Sequence, residues 1–345
     1  MTAYINGLAC ISHYNTIDEN YFFEDVAVPA TSNKLSATEP VYKDFIPVAF
    51  IRRMSHIVKM GVSAGTISMK KAGLDQVDAI ITGTGIGCYD DTDKFLRAML
   101  ENNEQLLTPT SFIQSTHNTV AGQLALMYKC YGYNFTYVQQ NHSLEYAMLD
   151  AMMLLKNKEA KNVLVGGIDE VNNSIVELFE RAGYVRKEGQ NNKGYSIGEG
   201  AAFFAVGSER TATSCAKIDG VKCLQKVNDA EELMKQAEAF LKDSGLEIHQ
   251  ISLLLSGTCG DAQFDSKLCA FNEKINLPVV HFKRLCGEYF TSSGFAMWLA
   301  ATILKRQFVP RAALPDNKIS TGLKHILVVN HYQDKLYSFM CVSAC

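Results

Sequence analysis

The 345-residue sequence has ten cysteines but no Cys-x-x-Cys pair. Disulfide frameworks belong mainly to short secreted chains, so these cysteines are expected as buried or free thiols. The eight histidines form no His-x-x-x-His pair, and no Cys and His cluster at zinc-like spacing. No metal site is therefore expected, and nothing in the sequence implies a cofactor. The formal charge of −3 leaves no basic excess, which argues against nucleic acid or an anionic membrane as partner. No apolar run approaches the ~20 residues of a membrane helix. The opening Met-Thr-Ala-Tyr-Ile-Asn lacks a basic stretch followed by an apolar one. Neither a membrane span nor a signal peptide is expected, and a cytoplasmic location is.

What is present is core-forming. Apolar residues make up 47% and charged residues 20%, enough for a sizeable interior and against disorder. The length suits two domains or one duplicated unit. Residues 1–50, with Pro29, Pro40 and Pro47, read as irregular. Met54, Ile57, Val58 and Val62 predict a helix over 51–72 that Gly73 closes. Strands are predicted at 78–82, 133–138, just before Gly166-Gly167 and at 201–206. Helices are predicted at 119–130 and 142–157, the latter with Leu144, Ala147, Met148, Ala151, Met152 and Leu155 on one face. The alternation predicts a layered α/β fold.

Two segments recur. Ile-Ile-Thr-Gly83-Thr84-Gly resembles Leu-Leu-Ser-Gly257-Thr258-Cys at an offset of 174, and Val-Ala-Gly122 resembles Ser-Ser-Gly294 at an offset of 172. The near-equal offsets predict duplication of one αβ unit. Two motifs that look chemical do not fit their context. Gly61-Val-Ser63-Ala-Gly65 has the nucleophile-elbow pattern, but it lies inside a helical stretch and not after a strand. Gly83-Thr-Gly85-Ile-Gly87 is followed by Tyr89-Asp90-Asp91, whose carboxylates would repel a pyrophosphate; it reads as a tight βα turn.

Several segments together resemble the β-ketoacyl synthases of the thiolase fold. They are Arg52-Arg53-Met54-Ser55 with the helix to Ala72-Gly73-Leu74, Pro109-Thr-Ser-Phe112, His117-Asn118-Thr-Val-Ala-Gly122, and Gly132-Tyr-Asn134-Phe-Thr136. Val165-Gly166-Gly167-Ile-Asp169-Glu170, Gly198-Glu199-Gly200, Ser256-Gly257-Thr258 and Lys283-Arg-Leu-Cys-Gly287 continue the series. The resemblance covers about residues 45–340. It implies a duplicated αβαβα sandwich with an N-terminal half (1–207) carrying the dimer strand and nucleophile position, and a C-terminal half (208–345) carrying two catalytic-histidine loops.

The family's catalytic set is a cysteine at a buried helix N-terminus and two histidines that stabilise the developing enolate and oxyanion. Carried over by position, the cysteine falls on Asn141 and the histidines on Ser256 and Glu288, so the resemblance implies that none of the three is intact. The family's glycine-rich loop near the C-terminus is replaced by Asn330-His331-Tyr332-Gln333-Asp334. A carboxylate at 288 would face the substrate's own carboxylate, at a cost of about 4 kcal/mol for like charges 4 Å apart at an effective dielectric of 20. His142 and Ser143 are left as a residual catalytic pair, or else as helix caps through Ser143 or Asn141. Lys283 matches a family lysine, which implies either that it holds an acidic partner in the site or that it pairs with Glu288. Asp169, Glu170 and Glu199 are expected to fix loops.

The resemblance therefore implies a degenerate synthase-like chain: a chain-length-factor-type partner of an active ketosynthase in type II fatty acid, polyketide or polyene synthesis, such as aryl polyene synthesis. Two other readings stay open, a 3-oxoacyl-carrier-protein synthase or other acyltransferase with unusual residues, and a homodimeric acyl-chain or carrier-protein binding protein. The implied partners are an acyl carrier protein and a catalytic ketosynthase subunit (heterodimer), or a second copy of this chain (homodimer).

Overall fold

Strands and helices alternate in the computed structural model, which describes residues 3–18, 22, 32–187, 193–314 and 322–345. Pro29 lies outside the described residues. The first half runs β1 (Ala3–Ile11), β2 (Lys34–Leu35), α1 (Val48–Ile51), α2 (His56–Ala72), β3 (Ala79–Gly83), α3 (Tyr89–Glu101), α4 (Pro109–Gln114) and α5 (Thr119–Tyr128). It continues with β4 (Tyr133–Tyr137), α6 (Ser143–Lys156), β5 (Asn162–Asp169), α7 (Asn173–Arg181), β6 (Ile197–Gly198) and β7 (Gly200–Gly207). The second half has β8 (Ala216–Leu224), α8 (Ala230–Asp243), β9 (Leu253–Ser256), α9 (Ala262–Ile275), β10 (Val279–His281) and α10 (Lys283–Cys286). It ends with α11 (Ser293–Arg306), β11 (His325–Tyr332) and β12 (Leu336–Ser343).

Residues 3–11, expected to be irregular, are a nine-residue strand at the centre of the sheet. Nearly every side chain of β1 is buried, so no polar–apolar alternation marks it in the sequence. The helix expected over 51–72 is two: α1 ends at Ile51, and α2 begins at His56 after Ser55 turns extended (ψ 175°). Gly73 closes α2 at φ +68°, a left-handed cap that glycine adopts without steric cost.

The main sheet has the order β10-β9-β11-β12-β8-β1-β7-β5-β3-β4. It is two five-stranded sets of identical design. In each, the second and third strands flank the first of three parallel neighbours and antiparallel strands complete the set: β4-β3-β5-β7-β1 matches β10-β9-β11-β12-β8. The sets meet through only three residue pairs, Ala3–Ile5 against Ala216–Ile218. Helices α6 and α11 share one core with the inward faces of both sets, including Val163, Val165, Phe204, Leu253, Leu255, Val328 and Met340. Helices α2 and α5 cover the outer face of the first set, and α8 and α9 that of the second. The result is the layered α/β sandwich expected.

The topology corrects one of the two sequence pairings. Gly83 and Gly257 follow equivalent strands, β3 and β9. Gly122 lies in α5, between β3 and β4, whereas Gly294 opens α11, between β10 and β11. The equivalent of α11 is α6, and their serine-led N-termini, Ser143 and Ser293, are 150 residues apart. The insertion carrying α3 and α4 in the first half changes the spacing, so a constant offset was a coincidence of glycines.

Candidate functional site

The ends of the parallel strands and the N-termini of α6 and α11 converge on one buried region. Asp169, the last residue of β5, is 1% exposed. Its Oδ1 accepts from Thr84 Oγ1 (3.0 Å), Gly85 N (2.7 Å) and, more weakly, Ile86 N (3.4 Å). Its Oδ2 accepts from the N–H and hydroxyl of Thr291, both at 2.9 Å. Burial pushes its carboxyl upward, and the donors pull against that. Asp169 thus ties the turn after β3 to the start of α11, the loop-fixing role expected of it. Glu170 and Glu199 act likewise: Glu170 Oε1 accepts from Asp90 N, and Glu199 from Ala37 N and Val171 N, each at 3.0 Å.

Asn141 and His142 lie in a 3-10 turn that leads into α6, and Asn141, His142 and Ser143 are buried. Asn141 Oδ1 accepts from Asn330 Nδ2 at 3.4 Å, while Asn141 Nδ2 and Asn330 Oδ1 have no partner. His142 Nε2 is 3.0 Å from the Tyr337 carbonyl, so Nε2 carries a proton and donates it there. Burial holds this imidazole below its ordinary pKa against that bond, so the ring is neutral at pH 7. Ser143 Oγ accepts from Gln139 N (2.8 Å) and lies within donating distance of the Thr84 and Gln140 carbonyls. Both side chains are spent on backbone groups, and no hydrogen bond joins them among the described residues. Nor does either cap α6: the N–H that Ser143 binds precedes the helix.

On the second half, Ser256 ends β9, and its Oγ accepts from Asn272 Nδ2 at 2.9 Å. Lys283 and Glu288 form the pair expected, Nζ to Oε2 at 2.7 Å, with both side chains 3% exposed or less. Lys283 Nζ also donates to the His331 carbonyl at 2.6 Å. Burial raises the Glu288 carboxyl to about 7, Lys283 notwithstanding, and its Oε1 has no partner. The contacts run from Asn141 to Asn330, and from the adjacent His331 through Lys283 to Glu288.

Sequence reading missed three neighbours. Asp265, on α9, accepts from Cys259 N (2.9 Å) and Gly260 N (2.7 Å) and so holds the turn after β9. It also accepts from His331 Nε2 (2.9 Å) and lies 3.3 Å from Cys259 Sγ. Burial pushes the Asp265 carboxyl up, but these bonds together bring it below its ordinary value. Cys259, Asp265 and His331 place one donor atom each within 4.8 Å of one another. Glu145, one turn into α6, is fully buried, with Oε1 on Ser338 Oγ at 2.8 Å and Oε2 unpartnered. No motif could have found these residues, because each partner sits on a different element.

Beside Glu288 lies an apolar recess lined by Ile86, Val171, Ile175, Phe179, Tyr195 and Phe290, among others. Its free volume is about 20 Å³, room for one water molecule. None of the ten cysteines is in a disulfide, as expected. No helix among the described residues is long and apolar enough to cross a membrane.

A family model for the N-terminal domain of β-ketoacyl synthases matches residues 27–227. The chain belongs to the β-ketoacyl synthase family. Solved structures of similar fold include the ishigamide ketosynthase/chain length factor (17% identity, TM-score 0.81, covering 100% of this chain and 99% of that one). A ketosynthase in complex with its chain length factor from Xenorhabdus doucetiae has 14% identity and TM-score 0.80, covering 100% and 98%. A β-ketoacyl synthase from Burkholderia phymatum STM815 has 16% identity and TM-score 0.75, covering 100% and 99%. No curated protein matches the sequence. Asn141 stands in the 3-10 turn just before α6, buried and with its amide nitrogen unpartnered. A carboxamide is no acyl-accepting nucleophile, and the nearest polar side chains, His142 and Ser143, are turned to the backbone.

Proposed function

We propose that this chain is a non-condensing, chain-length-factor-type partner of an active ketosynthase in type II fatty acid, polyketide or polyene synthesis, aryl polyene synthesis being one example. The observation that carries the reading is the set Asn141, Ser256 and Glu288. At the three catalytic positions stand an amide, a hydroxyl held by Asn272 and an ion-paired carboxyl. None supplies a thiolate or a histidine donor. Two of the similar structures are described as ketosynthase/chain-length-factor assemblies, which supports the assignment, as does a third described as a ketosynthase with its carrier protein.

In this reading residues 1–207 and 208–345 are the two thiolase-like halves, and the protein works in the cytoplasm as a dimer. β4 forms the edge of the sheet, and Tyr133 and Phe135 are 42% and 45% exposed. An aromatic edge strand left open invites pairing and aggregation, so a partner's strand is the natural cover. The partner is the catalytic synthase when present and a second copy otherwise. Incubating the pure protein with acyl- and malonyl-loaded carrier protein, followed by mass spectrometry, tests the catalytic half of the proposal: neither acylation nor extension is expected, and either one overturns it. Co-expression with a Cys-His-His synthase tests the other half. Co-purification and a change in product length are expected; two proteins that never co-elute refute it.

A further inference from the structure

Cys259 and Asp265 are 6 residues apart, and His331 is another 66 away. The fold brings one atom of each together in a fully enclosed place: Cys259 is 8%, Asp265 5% and His331 0% exposed. We propose that Cys259 Sγ, Asp265 Oδ1 and His331 Nε2 form a binding site for a divalent transition-metal ion, zinc being the species this donor set suits. Thiolate, imidazole and carboxylate are the three ligand types zinc takes, at about 2.3, 2.0 and 2.0–2.2 Å. A tetrahedral ion at those lengths sets its ligand atoms about 3.3–3.6 Å apart. The observed separations from Asp265 Oδ1 are 3.3 Å to sulfur and 2.9 Å to nitrogen, a few tenths of an ångström short of those values, and all three donor atoms lie within 4.8 Å of one another.

The surroundings suit the charge. Two metal charges balance one thiolate and one carboxylate. The buried assembly is neutral, which is what a low-dielectric interior requires. On binding, the Cys259 thiol proton leaves to solvent and the His331 ring proton moves from Nε2 to Nδ1, which gives up the weak bond it accepts from Asp334 N at 3.4 Å. Metal bonds replace the two hydrogen bonds those groups make to Asp265 Oδ1. The Asp265 carboxylate keeps its backbone donors, Cys259 N and Gly260 N, which fix its orientation as outer-shell partners do. A surface cleft of about 640 Å³ is lined by Asp261, Gln333 and Asp334, sequence neighbours of two of the ligands. Asp261 is one helical turn from Asp265, and Asp334 N faces His331 Nδ1 at 3.4 Å. Three protein ligands leave a fourth position for water. Such an ion would pin three elements: the turn after β9, helix α9 and the end of β11.

The test is a Co²⁺ titration of chelator-treated, full-length protein, read by absorption and followed by Zn²⁺ competition. One Co²⁺ per chain is expected, with a thiolate-to-cobalt band in the near ultraviolet that Zn²⁺ abolishes. Loss of an outer-shell partner already costs 10–100-fold in affinity, so Cys259→Ser is expected to weaken binding about 100-fold or more and to remove the band. His331→Gln should weaken binding while leaving the thiolate available. Cys269→Ser, at an exposed cysteine, should change nothing. Absence of the band in the wild-type protein overturns the proposal whatever the variants do, and so does a band that survives Cys259→Ser or vanishes with Cys269→Ser.

Discussion

The molecule contains the same turn twice, and the two copies are finished differently. After β3, Gly83-Thr84 is held by Asp169, which collects five donors from two elements and leaves neither of its oxygens unpartnered. After β9, Gly257-Thr258 is held by Asp265, with Thr258 Oγ1 on His281 Nδ1 at 2.6 Å. Around this second turn Asn141 Nδ2, Asn330 Oδ1, Asn272 Oδ1 and Glu288 Oε1 lack partners. Buried polar groups without partners cost about 1–3 kcal/mol each. The contrast lies in the two carboxylates and their nearest amides: Asp169 is saturated with donors, while around the second turn three side-chain amide atoms and one carboxylate oxygen are left over. A β-carbon on Gly257 would come 2.5 Å from Asn330 Oδ1, so the second turn also depends on glycine for close approach.

The first turn should respond most strongly to substitution. Asp169→Ala strands five donors, and even with the hydroxyls free to turn elsewhere it should destabilise by about 4 kcal/mol or more. Urea unfolding measures it; wild-type stability in the variant would break the comparison.

At the second turn, Lys283→Met leaves Glu288 as an uncompensated buried group and should cost about 3–5 kcal/mol. Lys283→Met combined with Glu288→Leu should recover most of that, because the pair's attraction little more than offsets its desolvation. A double-mutant cycle with no coupling would show that the ion pair is incidental to the site.

Glu145 sharpens the contrast by pH. Burial raises its carboxyl from 4.5 to about 7, so the folded state holds a proton that the unfolded chain gives up. Stability is therefore fully present below about pH 4.5 and falls as pH rises to 7. Glu145→Gln should remove this loss, a gain on the order of 3 kcal/mol at pH 8 and none at pH 4. Thermal melts across pH decide it: equal pH slopes for wild type and variant would mean that the carboxyl is ionised in the fold.

The smallest effect is the most specific. Asn141→Cys places a thiol at the start of α6, but histidine donors remain absent at 256 and 288, and one such donor is typically worth about 10²–10³ in rate. Acylation is acceptable in this variant; condensation above a trace, read by mass spectrometry, is not.

Much of this was legible in the sequence. The α6 face, Leu144 to Leu155, the strand at 79–83 and the Gly83/Gly257 correspondence follow from periodicity and turn chemistry, which act over a few residues. The Lys283–Glu288 pair was one of two roles that the family resemblance left open for Lys283, and the structure has it. β1 was not legible, because burial on both faces erases alternation. The Gly122–Gly294 pairing misled, because a glycine at a helix start carries no information about which connection it lies in.

The layered α/β class, the repeated unit, and the amide, hydroxyl and carboxyl at positions 141, 256 and 288 can all be read along the chain. The packed fold turned His142 and Ser143 to backbone carbonyls instead of to each other. It alone assembled Cys259, Asp265 and His331 from a turn, a helix and a strand end, and buried Glu145 with one oxygen unmatched. The reason is range: helix, strand and turn preferences are set by neighbours along the chain. Hydrogen-bond partners and pKa shifts are set by whatever the packed layers bring within about 3 Å, and no local pattern encodes that.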